Sequence, residues 1–71
     1  MDRDLVLRHL AEVERHILQG ETHLAKQLAL IAELEHHGHD TRGAQAILTT
    51  MRETQALHQQ DRERILRGLQ E

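Results

Sequence analysis

The chain has 71 residues, with nine Lys and Arg against twelve Asp and Glu, seven His, and no Cys, Pro or aromatic Phe, Trp or Tyr. So short a chain makes one domain, residues 1–71, whose core rarely supplies more than about 3–5 kcal/mol. The missing cysteine excludes disulfides and thiolate zinc sites. The net charge of −3, with no basic block, argues against strong non-specific nucleic-acid binding, which calls for a basic surface.

The opening stretch "MDRDLVLRHL" carries two early acids and no apolar signal core. The longest unbroken apolar run, Leu28 to Ala32, is far shorter than the roughly 20 residues of a membrane span. A soluble cytoplasmic protein without a membrane partner is the expectation. A composition rich in Ala, Leu, Glu, Gln and Arg favours long helices.

Residues 3–37 read as the first helix. Leu10, Ile17, Leu24 and Ile31 recur every seven residues. Val6, Val13 and Leu34 form the companion row, whose middle places fall to Gly20 and Gln27. Leu7, Ala25, Leu28 and Ala32 widen this stripe, as in a bundle helix. Asp2 or Asp4 can cap the start, where negative charge meets the positive end of the helix dipole.

Residues 38–40 read as the turn. Gly38 suits the left-handed position just past a helix end, His39 follows it against Leu34, and Asp40 caps the next helix through the amides of Arg42 and Gly43. The second helix then spans residues 41–69. Its apolar side consists of Ala44, Ile47, Leu48, Met51, Leu57, Ile65, Leu66 and Leu69, interrupted by Thr54, Gln55 and His58. Gly68 marks a fraying end.

So tight a connection makes the helices antiparallel neighbours, and the fold class is an all-α two-helix hairpin. Both stripes are wider than one neighbour can cover, so two hairpins are expected to pair as a homodimeric four-helix bundle. Its core would draw Val6, Leu10, Val13, Ile17, Leu24, Leu28, Ile31 and Leu34 from the first helix. The second would add Ile47, Leu48, Met51, His58, Ile65 and Leu69.

The histidines are the residues that could carry chemistry. His9, His16, His23 and His37 share one heptad position, with Leu30 in the remaining place. Successive members stand roughly 10.5 Å apart along one helix, too far to share a metal. The candidate ligands are therefore Glu12 with His16 at i, i+4, and the corner set His36, His37 and His39. No confident metal or cofactor site follows. His58 lies inward on the second helix. Folding about residue 39 places it near Gly20, which would leave room for the ring, and near Glu21 or Glu14, either of which could accept its N–H. The chain has no Ser and no Cys, so the common nucleophiles are absent and no enzyme is expected.

"HILQG", His16 to Gly20, resembles the H-x-L-x-G signature of histidine phosphotransfer domains. That resemblance implies a phosphoryl-accepting His16. The family carries Lys where Gln19 stands and a small residue near Glu21. The hairpin shape resembles the dimerisation helices of sensor kinases, without their H-E/D-x-x-x-P signature.

Over most of its length, on "RHLAEVERHI", "GHDT" and "TQALHQQDRERIL", the chain resembles short uncharacterised proteobacterial helical-hairpin proteins of unknown function. The resemblance implies a stand-alone cytoplasmic product and brings no activity with it. In architecture it is similar to Rop-like two-helix dimers, whose RNA-binding face needs basic and aromatic residues that this chain does not combine. The expected function is a small non-enzymatic interaction or regulatory protein: a dimeric bundle presenting a helical surface to a protein partner. The alternatives are a histidine-based metal- or pH-responsive module, a phosphotransfer protein using His16, and a nucleic-acid adaptor.

Overall fold

The computed structural model describes residues 2–70 as two helices, α1 (Arg3–His36) and α2 (Arg42–Gln70). They pack along their length as an antiparallel hairpin measuring 54 × 14 × 14 Å. The expected all-α hairpin is the observed fold, and both helix ends fall within a residue of expectation. At the start, the Asp2 carboxylate accepts a 2.9 Å bond from the Asp4 amide, satisfying one of the donors that a first turn leaves free.

The corner closes α1 through a Schellman motif. The amide of His39 donates to the Leu34 carbonyl at 2.9 Å, and that of Gly38 donates to Glu35 at 3.1 Å. Gly38 sits at φ +72°, where a Cβ would meet the carbonyl, so glycine is the fitting residue. His37 lies just outside the helix as its C-cap.

The start of α2 differs from expectation by one position. The Thr41 carbonyl accepts the first helical bond, from Gln45 at 2.8 Å, so Thr41 rather than Asp40 is the capping residue. Asp40 stands one place earlier and binds only Arg42, through its amide at 2.9 Å and its guanidinium at 2.8 Å. The carboxylate reaches two residues ahead in a local turn, which takes it past the geometry needed for Gly43. The Arg42 side chain, and after it the Arg42 amide, holds the Asp40 carboxyl below its usual value; Asp40 in turn raises Arg42.

A depressed carboxyl contributes stability that is complete above its unfolded value of about 3.9. That contribution is lost as pH falls through the lower folded value. Asp40→Asn should therefore remove a small stabilisation at neutral pH, small because the pair is exposed, and take that same amount out of the loss below about pH 4. Urea titrations across that range check it, and an unchanged acid limb would refute the role given to this pair.

Between the helices runs a seam of two heptad rows from each. In α1 these are Val6, Val13, Gly20, Gln27 and Leu34 alternating with Leu10, Ile17, Leu24 and Ile31. In α2 and its capping residue they are Thr41, Leu48, Gln55, Arg62 and Leu69 alternating with Ala44, Met51, His58 and Ile65. Every one of these residues is buried or half-buried. Val13, Ile31 and Leu48 are the buried apolar centre, joined by two buried glutamines, Gln27 and Gln55.

Leu28, Ile47 and Leu57 are 47%, 52% and 60% exposed in the hairpin, because a single neighbouring helix covers the two seam rows and little beyond them, as the width of the stripes predicts. Two expectations about the apolar side change. Thr41, Gln55 and Arg62 occupy seam places that a purely apolar reading passes over. The fold point also moves. The pairs Gly20–Gln55, His16–His58 and Glu14–Arg62 reflect about a point between residues 37 and 38, not about 39. The reason is that the seam ends at Leu34 and resumes at Thr41, and these two residues are centred on that point.

Candidate functional site

The polar residues gather in the middle of the seam, around one buried amide. Gln55 Nε2 donates across the hairpin to the Ile17 carbonyl at 2.8 Å, and its carboxamide fills the space above Gly20. Gly20 thus makes room for Gln55, not for His58 as the sequence suggested. The shifted fold point is the cause: reflection about 37–38 brings Gln55, one turn before His58, opposite the glycine.

A second cross-helix bond repeats the arrangement toward the corner. Gln27 Nε2 donates to the Ala44 carbonyl at 2.9 Å. Both acceptors lie inside helices and use a second lone pair, so each glutamine satisfies its own amide without unpairing the backbone. A polar side chain at a seam position fixes register at some loss of stability. These two hydrogen bonds form only when α1 and α2 are aligned as observed.

His58 meets His16, with ring centroids 5.3 Å apart and planes inclined by 37°. Its Nδ1 is sealed from solvent without a hydrogen-bond partner, a condition that costs about 1–3 kcal/mol for a buried polar atom. Neither proposed glutamate serves it. Glu14 instead accepts a 3.2 Å bond from Arg62 Nε, and Glu21 is exposed. An open groove of about 580 Å³ lies over this region, bordered by His16, Gly20, His23, Ile47, Thr54 and His58.

The corner histidines remain on the surface. His37 Nε2 lies 3.2 Å from Glu33 Oε1. Its ring centroid is 5.2 Å from that of His36 and 6.4 Å from that of His39. Glu12 is exposed and His16 half-buried. Among the described residues, no group of three or more His, Asp or Glu side chains is placed to hold a metal ion. No described helix is long and apolar enough to cross a membrane. Heptad periodicity alone does not reveal the His16–His58 pair or the Gln55–Gly20 fit, although both follow from heptad alignment once the fold point is known.

No protein-family model matches the chain, and no curated protein and no solved structure matches it.

Proposed function

We propose that the protein is a small non-enzymatic interaction module: two hairpins pair as a four-helix bundle, which presents its remaining helical surface to a protein partner. The observation that carries this reading is a second apolar seam on α1. Leu7, Leu18 and Leu28 are 41%, 64% and 47% exposed, and Ala11, Ala25 and Ala32 along the same strip are exposed too. These six positions recur at heptad spacing, one residue ahead of the seam that α2 covers. A helix with two seams calls for two helical neighbours, and α2 is one of them.

A second copy of α1 is the neighbour whose own seam would be buried in the same contact, as a two-fold interface requires. Glu14 and Glu21 interrupt the strip, while Arg8 and Arg15 flank it on the same helix. Exposed Leu30, Ile47 and Leu57 lie outside this seam and support a further contact with a protein partner.

Sedimentation equilibrium at micromolar concentration should report a dimer whose thermal midpoint rises with concentration. Leu18→Glu combined with Leu28→Glu should give a monomer. Both sites are open in the isolated hairpin, so the substitutions act on association rather than on its core. A well-folded wild-type monomer at that concentration would overturn the reading.

A further inference from the structure

We propose that His16 and His58 together form a cross-helix site for a divalent first-row transition ion, with Zn²⁺ as the reference ion. Each ring would give one nitrogen, and water from the groove would complete the coordination. Imidazole nitrogens are ordinary ligands for such ions. Two imidazoles bound tetrahedrally at nitrogen–zinc distances of about 2.0–2.1 Å place their ring centroids about 5 Å apart. The observed separation is 5.3 Å, across two different helices.

A second, independent observation points the same way. His58 Nδ1 is buried without any hydrogen-bond partner, so no protein group satisfies that nitrogen, and a bound ion is a partner that would. The groove bordered by His16, His23 and His58 gives an ion and its waters a way in. The charged groups nearby are already engaged. Glu14 pairs with Arg62, and Asp61, one turn from His58, pairs with Arg64 at 3.2 Å. Among the described residues no third His, Asp or Glu joins the two histidines, so the rest of the coordination falls to water from the groove.

Because His16 lies on α1 and His58 on α2, the ligands meet only in the folded hairpin. An ion held between them favours that state by mass action. The groove opens on the other flank of α1 from the Leu7–Leu18–Leu28 seam, so the site does not depend on the pairing proposed above.

The test is thermal unfolding of the full chain with submillimolar ZnCl₂ against excess chelator. Zinc should raise the midpoint of the wild type by roughly 5 °C. His16→Ala and His58→Ala should each abolish the shift, while the triple change of His36, His37 and His39 to Ala should retain it. His16 is at the edge of the seam, so its variant keeps the hairpin folded should the His58 variant fail to fold. In the wild type, substoichiometric Ni²⁺ should broaden the imidazole NMR signals of His16 and His58 before those of the corner histidines. The proposal is overturned if the wild type shows no shift, if the shift survives His16→Ala, or if the corner signals broaden first.

Discussion

Leu48→Ala is expected to leave most of the protein unfolded at room temperature. Leu48 is 4% exposed and is one of three buried apolar residues among those described, with Val13 and Ile31. A buried Leu→Ala change costs about 2–5 kcal/mol, the loss of transfer energy plus the cavity left behind. A core of this size rarely supplies more than about 3–5 kcal/mol in total. The position makes the loss worse. By the seam register Leu48 lies across from Gln27, whose amide donates to Ala44 one turn before Leu48. Truncation therefore opens a buried hydrogen bond to water as well as removing apolar contact. Urea unfolding followed by helical circular dichroism measures the effect. Leu57→Ala, at a site 60% exposed, should stay within about 0.5 kcal/mol. Equal effects at the two positions would contradict the register described.

Gly20→Ala should destabilise the hairpin by about 1–2 kcal/mol, although alanine is the better helix former by about 1 kcal/mol. A Cβ at position 20 collides with the Gln55 carboxamide. The amide must then swing away and give up its bond to the Ile17 carbonyl, leaving a buried polar group without a partner. The opposing change tests this directly. Gln55→Ala alone leaves a void over Gly20, while Gly20→Ala with Gln55→Ala fills part of that void and restores helix propensity. The double variant should accordingly be more stable than either single one, with a coupling energy of about 1–2 kcal/mol. For a domain this small, each kcal/mol moves the thermal midpoint by about 4–8 °C, so the cycle is readily resolved. Additive effects would show that the glycine is not there for the glutamine.

The heptad rows of α1 were legible because every seam residue from Val6 to Leu34 obeys one spacing, even where Gly20 and Gln27 break its apolar character. The corner was legible for a similar reason: Gly38 is the residue that a Schellman ending favours, and that ending was found. The rows of α2 were harder to see. Thr41, Gln55, His58 and Arg62 hold four of its nine seam places, while the apolar residues Ile47 and Leu57 lie outside the seam that α1 covers. Hydrophobicity marks a buried side only when the buried residues are apolar.

By itself the sequence determined the secondary structure, the sharp corner and hence the antiparallel hairpin, because helix propensity, capping and periodicity are local properties. Only the tertiary structure decided the cross-helix partners. Which residue faces Gly20 or His16 depends on where the chain folds back. A shift of that point by one or two residues slides α2 by about a turn along α1 without changing any local preference. The packing of Gln55 into the space over Gly20, and the two glutamine bonds that need one alignment, settle that register. His58 thereby meets His16 instead of a glutamate.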